Sequence, residues 1–151
     1  MASPHYTPSG KPIQGADGIS KDLRDEFALI ETGIAVLNRY GIATYFEDLN
    51  TAGSKFVPVP FSCLLVQATA VINQANATTE TIVTFEIGGV LVVMDSSGEL
   101  TFTSGASSGS VASAVPASNN QVTVGTPIEV ITDGGGSTTM SASVTLILQR
   151  V

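Results

Sequence analysis

Apolar residues at Leu23, Phe27, Ile30, Ile34 and Leu37 recur in steps of four and three, which keeps them on one face of a helix. The spacing predicts one amphipathic helix over residues 20–41. Ser20 is placed to cap its first turn, Asp22 and Asp25 lie near the positive end of its dipole, and Arg39 lies near the negative end. Gly41, just past the periodic stretch, is the expected left-handed closing residue. Gly33 in mid-helix weakens it and marks a point where another backbone can come close. The stripe has two possible destinations: the protein's own sheet, or a second copy or host surface.

After residue 41 the period changes to two. Leu64, Val66, Ala68, Ala70 and Ile72 are expected on one side of a strand, with Gln67 and Thr69 on the other. Thr81, Val83, Phe85 and Ile87 alternate with Ile82, Thr84 and Glu86, and Gly88-Gly89 links this run to "VLVVM" as a tight hairpin. "DSSG" turns the chain into Leu100 and Phe102. Near the end, Met140, Ala142, Val144, Leu146 and Leu148 form one clean apolar face. "ATYFEDL", "KFVPVPF", "QVTV" and "PIEVIT" bring the total to about eight strands, with Val57-Pro58-Val59-Pro60 at an edge because proline cannot donate to a central ladder. Residues 103–121 read as a long polar surface loop, and the glycines after Asp133 as a hairpin turn. The expected fold is mainly β: an antiparallel β-sandwich, most simply a jelly roll, over 42–151, with one N-terminal α-helix.

Residues 1–19 form neither pattern. Pro4, Pro8 and Pro12 with Gly10, Gly15 and Gly18 exclude a helix or central strand, so this stretch is expected to be an extended arm. Pro4, Tyr6, Pro12 and Ile13 give it apolar handles that a purely solvating tail would not need.

Composition narrows the partners. The chain has 151 residues, enough for a single β-domain core, and only 13% of them are charged, against roughly 25% in ordinary soluble domains. A formal net charge of −7, with six Lys and Arg in total, argues against nucleic acid and against anionic membrane surfaces. Charges concentrate in residues 1–50, so the two halves are expected to meet different surroundings. There is no apolar run of the roughly 18 residues needed to span a membrane, and the N-terminal stretch lacks the apolar core of a secretory signal. A lone cysteine, Cys63, fits folding in a reducing cytoplasm.

Candidate chemistry is sparse, and no catalytic, metal or cofactor site is expected. His5, the one histidine, lies in the arm, which leaves a nucleophile without a positioned base. Glu86, Asp95, Glu99, Glu129 and Asp133 are candidate carboxylates for acid–base work, and their ordinary reading is turn and rim residues. Cys63 reads as a small core residue. The Asn76-Ala77-Thr78 glycosylation pattern reads as a turn. Sugar sites rely on stacking aromatics, yet there is no Trp, and Tyr6, Tyr40 and Tyr45 all precede the main β-region.

"TPSGKPIQGADGIS" followed by "LRDEFALIETGIAVL" resembles N-terminal segments of structural proteins of tailed bacteriophages. "FVPVPFSCLLVQATAVINQANATTETIVTFEIGGV" and "VGTPIEVITDGGGSTTMSASVTLIL" resemble jelly-roll cement or decoration proteins of phage heads. The resemblance implies a virion protein made in the host cytoplasm and placed on the capsid surface. It further implies a homo-oligomer, dimer or trimer, that clamps the major capsid protein and has no catalytic residues. On that reading Pro4, Tyr6, Pro12, Ile13, Leu23, Phe27, Ile30, Ile34 and Leu37 are the candidate contacts with capsid or with other protomers. The alternative is a tail or head fibre adaptor that binds a receptor.

Overall fold

The computed structural model describes residues 21–76, 79–95, 99–135 and 138–151, with the side chains of 21–24 and 34–37 outside the description. The chain divides into two units, Met1–Leu37 and Asn38–Val151. In the first, the described element is α1, Lys21–Leu37. The expected cap Ser20 and the arm lie outside the described residues.

The helix stops earlier than the pattern predicts. Arg39, Tyr40 and Gly41, expected in its closing turn, open the first strand, β1 (Arg39–Phe46). Pairing explains the change: β1 lies antiparallel to the last strand, β12 (Ala142–Arg150), from Arg39↔Gln149 to Phe46↔Ala142. A ladder of that length outweighs the weak helical preference of Arg-Tyr-Gly. Gly41 is thus a strand residue, packed near the Ile147 and Thr145 side chains, and not a left-handed cap.

The second unit holds twelve strands among its described residues. Besides β1 and β12 these are β2 (Gly53–Val57), β3 (Cys63–Ile72), β4 (Thr81–Ile87), β5 (Val90–Leu91), β6 (Val93–Met94), β7 (Leu100–Phe102), β8 (Val111–Ala114), β9 (Pro116–Ser118), β10 (Gln121–Val122) and β11 (Ile128–Thr132). One antiparallel sheet runs β1-β12-β3-β10 with β8 also on β3; a second runs β2-β11-β4-β5 with β7 also on β4; β6 and β9 form a small third pair. The inner faces of both large sheets contribute to one hydrophobic core that includes Leu65, Ile72, Phe85, Val130, Leu146 and Leu148. Within the first sheet small residues face large ones: Ala68 lies opposite Leu146, and Ala70 opposite Val144. Fully burying one of the larger side chains, such as Phe85, stabilises the fold by about 2–3 kcal/mol.

Several expectations hold at residue level. Thr81, Val83, Phe85 and Ile87 all point inward, as do Met140, Ala142, Val144, Leu146 and Leu148. Gly88 and Gly89 both have positive φ, the requirement of a two-residue type I′ hairpin, and Ile87 faces Val90 across it. β2, which leads into Pro58 and Pro60, is an edge strand.

Four expectations are corrected. In β3 the inward set is Cys63, Leu65, Ala68, Ala70 and Ile72, so Leu64 and Val66 lie on the other side. A bulge at Val66, where Ile147↔Gln67 is followed by Leu148↔Leu65, shifts the alternation by one residue. "VLVVM" divides at Val92: β5 stays on β4, and β6 leaves to pair β9. Residues 103–121, expected as a loop, contain β8 and β9; β8 is a strand because Ala112 and Ala114 are small enough to lie against Ala70 and Ala68. The glycines after Asp133 do not close a hairpin, since β11 and β12 belong to different sheets.

Polar side chains tie the loops to the sheets. Asp48 accepts hydrogen bonds from the backbone N–H of Met140 (2.9 Å) and Asn50 (3.0 Å) and from the Thr51 hydroxyl (2.8 Å). Buried Asn50 accepts from the Thr81 hydroxyl (2.6 Å) and donates to the Thr138 carbonyl, and buried Thr132 donates to the Leu49 carbonyl. These contacts join the β1–β2 connection, the start of β4, the end of β11 and the approach to β12. Asn76 is fully buried, and its amide donates to the carbonyls of Thr79 (2.6 Å) and Phe102 (3.1 Å), which withholds it from glycosylation in the folded chain.

Candidate interaction surfaces

The helix carries apolar side chains on its surface. Phe27 and Ile30, one turn apart, are 53% and 55% exposed, and Leu29, which the stripe did not include, is 73% exposed. Pro4, Tyr6, Pro12 and Ile13 lie outside the described residues; Leu23, Ile34 and Leu37 lie on α1, with their side chains outside the description. Gly33 has open space where a side chain would begin. The Thr32 hydroxyl turns back to the Ala28 carbonyl (2.8 Å).

The outer face of the β1-β12-β3 sheet is a second surface, and the sequence reading missed it. Its cross-strand rows are Tyr45, Ser143, Val71 and Val111, then Ala43, Thr145, Thr69 and Ser113, then Gly41, Ile147 and Gln67, and finally Arg39, Gln149, Leu64 and Gln121. Only Arg39, at a corner, is charged. The Ser113 hydroxyl accepts from the Gln67 amide (2.9 Å) and shares a hydrogen bond with the Thr69 hydroxyl (3.1 Å). Two features hid this surface: three of the four β8 residues are small, and the Val66 bulge moves Leu64 outward.

The other large sheet differs. Across its outer face run Phe56, Glu129, Glu86 and Leu91, with the two carboxylates directly opposite each other and both apolar ends exposed. Like charges in that register repel. The structure thus brings together two of the candidate carboxylates, on an open sheet face and not in a cleft. Asp95 and Asp133 serve the backbone: Asp95 accepts from Val115 N–H (3.1 Å), and Asp133 from Ile82 N–H (3.0 Å) and Gly135 N–H (3.1 Å).

Hydrogen bonds from Met140 N–H, Thr51 and Asn50 N–H hold the Asp48 carboxyl below the usual carboxylate range, with the Met140 bond the largest cause, while partial burial opposes the shift. Asp48 and Lys55 border a shallow depression of about 290 Å³, and Asn119 and Val90 border another of about 420 Å³. Cys63 is buried, and desolvation pushes its thiol up, away from the reactive thiolate. Among the described residues, no three or more His, Cys, Asp or Glu gather where they could hold a metal ion, and no helix is long and apolar enough to cross a membrane.

No protein-family model matches the chain, and no curated protein matches it.

Proposed function

We propose that the chain is a structural virion protein, a cement or decoration protein that binds the outside of a phage head, ties neighbouring major capsid subunits together, and catalyses nothing. The observation that carries the reading is the exposure of Phe27, Leu29 and Ile30 on α1. Apolar side chains left in water on a helix mark a surface meant to be covered by another molecule. The nearly uncharged outer face of the β1-β12-β3 sheet supports the same reading, because docking it against protein removes few charges from water.

Strand order supports the finer view of the domain as a jelly roll. β1, β3 and β12 belong to one sheet and their chain neighbours β2, β4 and β11 to the other, so the chain alternates between sheets as paired Greek keys require. Shells that must resist internal pressure gain from small proteins that add interface area at each joint. An arm adds area with little bulk, and repeated copies multiply a modest energy.

Cosedimentation with expanded heads tests this reading. The full chain should pellet with heads, and a chain lacking residues 1–18 should stay folded and remain in the supernatant. Equal pelleting of the two would remove the arm from the account; failure of the full chain to pellet would remove the capsid.

A further inference from the structure

The edge strands of this fold are unequally protected. β2 is five residues long, carries Lys55 and leads into Pro58 and Pro60; β5 and β10 have two residues each, β7 has three, and β8 has four, with Pro116 soon after. Shortness, lysine and proline are the usual devices that keep an edge from pairing with another chain. β1 has none of them. It spans eight residues, RYGIATYF, without proline, lysine or carboxylate, and among the described residues only β12 pairs with it.

Backbone geometry specifies what that edge offers. The Asn38 carbonyl accepts from Arg150 N–H (3.1 Å), so Asn38 belongs to the hydrogen-bonded set of the β1–β12 ladder. Antiparallel pairing alternates, and the set that continues from Asn38 is Tyr40, Ile42, Thr44 and Phe46. The N–H and C=O groups of Arg39, Gly41, Ala43 and Tyr45 therefore point to the open edge.

We propose that β1 pairs antiparallel with β1 of a second copy, across a two-fold axis, to join two β1-β12-β3 sheets into one. The strand is complementary to itself in the register that uses all four outward-facing residues. Arg39 then faces Tyr45 of the second copy, and Gly41 faces its Ala43, each facing pair exchanging both backbone hydrogen bonds. At either end a guanidinium lies beside a phenol ring on the same outer face, a favourable cation–π pair. Ile42 meets its own counterpart at the centre. Because β1 has no carboxylate, this contact joins two chains of net charge −7 without setting acid against acid.

The inference names the self-contact in the homo-oligomer that the phage-protein resemblance implies and rests on that expectation, not on the capsid; the chain is measured alone, so its failure leaves head binding untouched. Sedimentation equilibrium of the full chain should give a dimer. Ala43→Pro removes an N–H that faces the edge and leaves the β12 ladder complete, and Ala43→Lys adds an edge lysine while keeping that N–H. Each should weaken dimerisation at least tenfold with the circular dichroism of the fold retained. Hydrogen exchange provides a reading that does not depend on either variant: the Gly41 and Ala43 amides should be slow in the dimer and fast on dilution. A monomeric or trimeric wild-type chain overturns the proposal, as does a dimer whose affinity Ala43→Lys leaves unchanged or whose Gly41 and Ala43 amides exchange freely.

Discussion

Asp48 does more for this fold than its position in a loop indicates. Three donors converge on its carboxylate, and two of them are backbone N–H groups that would otherwise lose their partner. Asp48→Ala should cost about 2 kcal/mol, read as a lower denaturant midpoint with an unchanged slope. Its pKa is lower folded than unfolded, so the stabilisation is complete above the unfolded value and is lost as pH falls through the folded one. Wild-type thermal midpoints should therefore fall below about pH 4, and less steeply in Asp48→Ala. Gly134 and Gly135 are equally specific. A Cβ on Gly134, which has φ +74°, would run into the Ala52 backbone, and one on Gly135 into the Glu80 carbonyl. Gly135→Ala should destabilise by about 2–3 kcal/mol in chemical melts, whereas Gly33→Ala, with open space, should cost nothing. Cys63, sealed in the core, should react with a thiol reagent only after denaturation.

Elements were legible in the sequence where one period ran unbroken through large residues. β4, its Gly88-Gly89 hairpin and β12 have that character, and their inward faces follow from alternation alone. β3 shows the limit: a bulge at Val66 is set by pairing with β12, and no local signal in β3 announces it. β8 has no clear sequence signal because Ala112 and Ala114 carry little hydrophobic contrast, although they fit the alanines of β3. The end of α1 is not legible locally, because the partner that draws Arg39–Gly41 into a strand lies at the far end of the chain. Of the candidate surfaces, Phe27 and Ile30 follow from the helical period, whereas a sheet face assembled from β1, β12, β3 and β8 has no contiguous sequence signature. For α1, Phe27→Ser and Ile30→Ser should change folding stability by less than about 0.5 kcal/mol, because both side chains are already exposed, yet weaken head binding in cosedimentation.

At the scale of the molecule, the charge distribution separates two roles. The outer face of one sheet has Glu86 against Glu129, a repulsive pair suited to contact with water or with a cationic partner. The other large sheet turns out an almost uncharged face. Such asymmetry is what a protein with one side docked and one side in solvent would carry. The proposed adhesion to a shell is tested most directly by electron microscopy of purified virions with an antibody against this chain: label should cover the whole head, and virions without label, or with label confined to the tail or a single vertex, would overturn the proposal.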